Sequence, residues 1–134
     1  MDRLNYFDSL QLIKKEDDFD KLALEVFQYQ YHYNKVYSQF VKSLNISTEI
    51  IKSINEIPFL PVEIFKTYKV ITGNEDYQQI FTSSGTTGDQ TSKHYVKDIS
   101  FYENVFSKIF SSFYSSPSDY TILALLPSYL EREG

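Results

Sequence analysis

The stretch Phe81-Thr-Ser-Ser-Gly-Thr-Thr-Gly-Asp-Gln-Thr-Ser-Lys-His94 constrains this chain more than any other. It sets small hydroxyl residues and two glycines directly behind an apolar run, Tyr77-Gln-Gln-Ile-Phe-Thr82, that reads as a strand. Glycine lets a backbone approach an anion closely and adopt positive φ, and successive N–H groups there form a concave nest. The hydroxyls of Ser83, Ser84, Thr86 and Thr87 add donors, and Lys93 adds a point charge. Residues of these types in this order suit the oxygens of a polyphosphate. The plainer reading is a Ser/Thr/Gly-rich surface turn, which composition alone permits.

Two well-known phosphate loops fit poorly. Gly85 and Gly88 match neither the Walker spacing, with its terminal Gly-Lys-Ser/Thr, nor the three-glycine dinucleotide pattern. Ser-Ser-Gly-Thr-Thr-Gly followed by a lysine instead resembles the phosphate-binding loop of adenylate-forming enzymes, the acyl- and aryl-CoA ligase superfamily. In the common form of that loop the lysine stands closer to the last glycine, whereas Lys93 comes five after Gly88. The longer spacing, with His94 next, resembles the acyl-protein synthetase (LuxE-type) branch. Two further blocks agree: Ile57-Pro-Phe-Leu-Pro-Val-Glu-Ile-Phe-Lys66 upstream and Leu125-Leu-Pro-Ser-Tyr-Leu-Glu-Arg132 downstream. The blocks run from Ile57 to Arg132, and their joint occurrence in order is more specific than the loop alone.

Composition bounds the alternatives. The 134 residues, 42% hydrophobic and 17% aromatic, suffice for one domain with a core of useful size. Thirteen basic against eighteen acidic residues give a net charge of −5, which speaks against nucleic acid as a partner, since neutralising phosphates needs a concentrated positive face. The absence of cysteine excludes disulfides and thiolate metal sites, and Met-Asp-Arg-Leu-Asn-Tyr lacks the regions of a secretion signal, so a cytoplasmic protein is the default. The longest apolar run, Ile122 to Pro127, is far short of the ~20 residues needed to span a bilayer.

Apolar residues from Phe19 to Leu44 recur every three or four positions and predict one amphipathic helix, capped by Asp17 or Asp18. Its tyrosines, Tyr29, Tyr31, Tyr33 and Tyr37, read as packing rather than a stacking platform, and His32 as a surface or satisfied histidine. Ser47 should start a short helix stopped by Pro58, with Pro61 at the first turn of the next. Tyr68–Thr72 and Tyr77–Thr82 read as strands flanking a turn at Gly73, and Lys93–Lys97 as a returning strand. A second amphipathic helix follows Asp98 or Ser100, carries pairs such as Val105/Phe106 and Ile109/Phe110, and ends at Ser-Ser-Pro-Ser-Asp. Tyr120–Leu126 is continuous and apolar, as a strand buried on both faces would be, so helix and strand together predict a covered parallel sheet. The expected class is therefore α/β. A helical N-terminal region, residues 1–56, leads into residues 57–134, which by resemblance begin an adenylate-forming core with a mixed or parallel sheet, left incomplete, and the loop at 82–94.

The resemblance also implies the chemistry. Such enzymes use ATP and Mg2+ to activate a carboxylic acid, a long-chain fatty acid in this branch, as an acyl-adenylate. They then pass the acyl group to an enzyme cysteine and on to a partner reductase. Ser83, Ser84, Gly85, Thr86, Thr87, Gly88 and Lys93 would bind the β- and γ-phosphates; His94 either approaches the same phosphates or packs as a strand residue. No catalytic residue and no metal ligand is assigned among these 134 positions. Because they include no cysteine, and because the family's adenine-binding motif, ribose-binding aspartate and catalytic lysine lie further on, the expectation is an N-terminal fragment, inactive alone. The alternatives are an aryl- or fatty-acid-CoA ligase, and a non-catalytic interaction domain that keeps the loop as structure.

Overall fold

The computed structural model describes residues 13–74, 76–83 and 91–123. The chain divides into two compact units, Met1–Ile99 and Ser100–Gly134. In the first, the order is helix α1 (Glu16–Tyr33), helix α2 (Lys35–Ser43), a 3₁₀ turn at Ile54–Glu56, the single-turn helix α3 (Ile64–Thr67), and strands β1 (Gln79–Thr82) and β2 (Lys93–Val96).

The predicted single helix over 19–44 is two. Asn34 interrupts it in an extended conformation, φ −107° and ψ 106°. Its N–H closes α1 on Gln30 O at 2.8 Å, while its carbonyl accepts from Ser38 N at 2.9 Å to open α2. Its side-chain Oδ1 accepts from Tyr37 N at 3.1 Å, supplying the N-cap. The apolar rhythm runs straight through this joint, which is why periodicity missed it. Neither Asp17 nor Asp18 is the N-cap of α1: that position is Lys15, and both aspartates lie in the first turn, where their charge favours the helix dipole. Asp18 Oδ2 accepts from Lys14 N at 3.2 Å.

Helices α1 and α2 meet around Phe27, Tyr37, Val41 and Ile51, with Val41 wholly buried. The Phe27 and Tyr37 rings cross edge to face at 6.2 Å between centroids. Tyr37 also donates its hydroxyl to Pro58 O at 2.8 Å, pinning the proline-stiffened connection to the helices, and burial pushes its phenol up to about 12. The remaining tyrosines pack, Tyr29 against Tyr33 at 4.8 Å and Tyr31 against Phe27 at 6.5 Å. His32 is exposed, with its Nδ1 2.7 Å from Gln28 O.

Ser47 begins one turn, Ile50 N to Ser47 O at 3.3 Å, rather than a helix. The capped element is the 3₁₀ turn, where Ser53 and Glu56 form a reciprocal capping box. Glu56 Oε2 accepts from Lys52 N at 2.7 Å and Ser53 N at 3.0 Å. These bonds, that from Lys52 foremost, hold its carboxyl below the ordinary value. Pro61 O accepts from Ile64 N at 3.1 Å, so Pro61 opens the turn that runs into α3.

Tyr68–Thr72 forms no strand; the partner of β1 is β2, antiparallel, in the register Gln79↔Val96, Ile80↔Tyr95, Phe81↔His94 and Thr82↔Lys93. The segment that was expected to pair instead bends at Gly73, φ +79°, whose N–H donates to Tyr33 O at 2.8 Å. Helix α4 (Ile99–Tyr114) follows; its first N–H donates to Gln78 Oε1 at 2.8 Å. It ends where predicted, with Ser115 at φ +63° and a 3₁₀ turn at Pro117–Asp119. In the second unit Phe110 stacks edge to face on Tyr120 at 5.8 Å, while Phe106, Ile109 and Phe113 are exposed. Tyr120–Leu123 carry no strand, and the rest of the predicted strand to Leu126 lies outside the described residues. No helix among the described residues is long and apolar enough to cross a membrane.

Asn34→Ala removes a cap and a buried donor together, and should cost about 2–3 kcal/mol in chemical denaturation. For Glu56, whose folded carboxyl titrates below its unfolded value of 4.5, the stabilisation is complete above that pH and is lost as pH falls through the lower, folded value. Glu56→Gln should therefore flatten the acid limb of a stability–pH profile and leave the shape of the neutral region unchanged.

Candidate functional site

The hydroxyl- and glycine-rich segment is the tip of the β1–β2 hairpin. The ladder continues one rung past Thr82↔Lys93. Ser83 N donates to Ser92 O at 3.1 Å, and Ser92 N donates to Ser83 Oγ at 3.0 Å. The Ser83 side chain thus replaces the second backbone bond of that rung, and its own O–H remains a donor at the base of the loop. Ser84, Gly85, Thr86, Thr87 and Gly88 lie outside the described residues.

Pairing sets Lys93 opposite Thr82, one position from the Ser83–Ser92 rung, at the loop end of the stem; both Ser83 and Lys93 are exposed. An exposed hydroxyl donor and an ammonium beside the loop suit a phosphate oxygen. His94 stands opposite Phe81. Successive side chains of a strand point to opposite faces, so Lys93 and His94 face apart. His94 instead borders an apolar pocket beside α1. Among the described residues no group of three or more His, Asp or Glu could hold a metal ion.

Three features of the stem were not anticipated from sequence. Tyr77 packs on Tyr95 at 5.1 Å, with Lys69 Nζ 5.0 and 5.5 Å from the two ring centroids, a cation–π clasp. Lys97 Nζ donates to Thr72 O at 2.8 Å, to Asn74 O at 2.9 Å and to Asn74 Oδ1. Thr72 Oγ1 donates to Gln30 Oε1 at 2.5 Å, and Asn34 Nδ2 reaches Thr72 Oγ1 at 3.2 Å. The hairpin is thereby tied through the 72–74 bend to the joint between α1 and α2. Lys97, two residues beyond Tyr95, carried no signal beyond its charge, because its partners are oxygens of Thr72 and Asn74, far along the chain.

Comparison with known proteins gives a consistent result. The chain is similar to the long-chain-fatty-acid–luciferin-component ligase of Vibrio harveyi, 39% identical over 69 residues, which are 51% of this chain and 18% of the relative. It is similar to the protein of the same description from Aliivibrio fischeri, 37% identical over 52% of the chain and 18% of the relative. A third such ligase, from Photorhabdus luminescens, is 31% identical over 61% of the chain and 66% of the relative. The chain thus spans about a fifth of the first two relatives. No solved structure matches it. The family model described as acyl-protein synthetase, LuxE, matches residues 7–110, which include the helical joint, the hairpin stem and the whole loop, and the chain belongs to that family.

Proposed function

We propose that the intact protein activates a long-chain fatty acid with ATP and transfers the acyl group to a protein cysteine, and that the loop at 82–94 grips the β- and γ-phosphates. Family membership supports the reaction class, and the observation that carries the site is the hairpin stem, whose last two rungs hold Lys93 and Ser83 at the base of a loop rich in amides and hydroxyls.

A carboxylate is a poor electrophile. One of its oxygens attacks the α-phosphorus of ATP, the new bond joins that oxygen to phosphorus, and the bond to the bridging oxygen breaks so that pyrophosphate leaves with the electron pair. Negative charge grows on the departing phosphates, where loop N–H groups, the hydroxyls of Ser83, Ser84, Thr86 and Thr87, and the Lys93 ammonium donate. Mg2+, when bound, neutralises the same oxygens. Gly85 and Gly88 let the backbone approach them. A cysteine thiolate then attacks the acyl carbon and AMP leaves. The 134 residues contain no cysteine, so that thiol belongs to another part of the intact protein, and the acyl group is handed on from it to an acyl-accepting reductase. The core that completes the pocket would be the adenylate-forming one, and residues 1–134 alone should be inactive.

In the complete gene product, replacing Thr86 and Thr87 by alanine should lower fatty-acid-dependent ATP–pyrophosphate exchange by about 100-fold, the scale of losing oriented donors. Lys93→Ala should raise the KM for ATP, and Lys93→Arg should restore part of it. No exchange with any carboxylic acid, or full exchange in the double variant, rules the reading out. Acyl-enzyme formed with ATP alone supports transfer to protein; an absolute need for coenzyme A would make the protein a CoA ligase instead.

A further inference from the structure

Lys97 sits half-buried at the root of the hairpin, one residue past β2 and at the opposite end of the stem from the loop. Its ammonium donates to Thr72 O at 2.8 Å, to Asn74 O at 2.9 Å and to Asn74 Oδ1, so all three of its N–H groups are committed. Two of these acceptors are the backbone carbonyls on either side of Gly73. The third is oriented in turn, because Asn74 Nδ2 donates to the Asp76 carboxylate. Three converging acceptors suit a tetrahedral ammonium, whereas the planar fork of an arginine could not satisfy them.

These acceptors belong to a strap that is itself fixed to the helices. Gly73 N donates to Tyr33 O at 2.8 Å, and Thr72 Oγ1 donates to Gln30 Oε1 at 2.5 Å. The same segment meets the stem twice more: α3 lies against β2, and Lys69 Nζ stands over the rings of Tyr77 and Tyr95. The ladder closes at its root, where Gln78 N donates to Val96 O at 2.8 Å. At the other end, Thr82, Ser83, Ser92 and Lys93 bond to no described residue outside the ribbon. The direction in which the stem carries its loop is therefore set from the root.

We propose that Lys97 is a positioning residue, whose ammonium fixes the angle at which the hairpin leaves the helices and so delivers Lys93 to the phosphates; the assignment rests on the phosphate reading above. A strand rises about 3.3 Å per residue, so Lys93 stands about 13 Å beyond Lys97, and a swing of about 10° at the root carries it about 2 Å. A misplacement of about 1 Å can cost about 100-fold in rate. The field of Lys97 itself is the smaller effect, because about 13 Å exceeds the screening length of about 8–10 Å at ordinary ionic strength. Lys97 acts as the pin of a lever and not as a charge on the substrate.

The test uses the complete protein and combines Lys97→Met with Lys93→Ala. Lys97→Met should lower kcat/KM for ATP in fatty-acid-dependent pyrophosphate exchange by at least about tenfold when Lys93 is present, and by no more than about threefold in the Lys93→Ala background. Lys97→Arg, which keeps the charge but not the three-way geometry, should behave like Lys97→Met. Asn74→Ala, which removes one acceptor of the three, should show a smaller loss of the same kind. Amide hydrogen–deuterium exchange should quicken in residues 77–83 and 92–96 of Lys97→Met while α1 and α2 stay as protected as before. Equal losses in both Lys93 backgrounds, full activity in Lys97→Arg, or hairpin amides as protected as in the unmutated protein overturns the proposal. The phosphate reading fails separately: if the unmutated protein catalyses no pyrophosphate exchange, faster deuterium uptake by the hairpin of Lys97→Met still supports the anchor, and unchanged uptake removes it.

Discussion

Asn34 is the buried polar residue among those described, 4% exposed, and the arrangement of the first unit turns on satisfying it. A buried amide without partners is costly, so its backbone and side-chain groups must all find bonds at once. They do so only if α1 stops at Tyr33, α2 starts at Lys35, and Thr72 comes within reach. Once Thr72 is placed, its carbonyl accepts from Lys97, and the end of β2 is anchored to the helices. Gly73 allows the bend between them: its φ is positive, and a Cβ there would come within 3.4 Å of Lys97 Nζ. The apolar contacts of Phe27, Val41 and Ile51 supply the larger share of burial, but they are non-directional and would tolerate several helix arrangements. The directional bonds select one.

A hairpin of four residues a side is weak by itself. Here the stem is reinforced at each end, by the Lys97 clasp and the Lys69–Tyr77–Tyr95 cluster at one and by the doubled Ser83–Ser92 rung at the other. The stem thereby holds Lys93 at the base of the loop that was proposed to grip the phosphates. The same stem borders the pocket beside α1 through His94.

Much was legible in the residues alone because it depends on local chemistry. The C-terminal end of α4 declared itself through Ser-Ser-Pro, and the amphipathic faces of the helices through spacing. The return of Lys93–Val96 as a strand followed from alternation. What failed failed for an identifiable reason. Asn34 broke a helix whose hydrophobic period continued across it, because the signal that matters there is a capping side chain rather than a gap in the pattern. Tyr68–Thr72 had the composition of a strand but no neighbour to pair with, since β1 bonded to β2 and the bend at Gly73 committed its amide to Tyr33.

The sequence by itself determined the family, the chemical character of the loop and which helix faces are apolar, since each of these is written in neighbouring residues or in a fixed period. Only the tertiary structure decided which strand completes the hairpin, that Lys97 serves a bend more than twenty residues earlier, and that a stripe on α1 faces the 54–72 segment across a pocket. Those outcomes depend on pairs distant in the chain, whose meeting is settled by the joint satisfaction of buried hydrogen bonds and apolar surface, and no local pattern encodes that meeting.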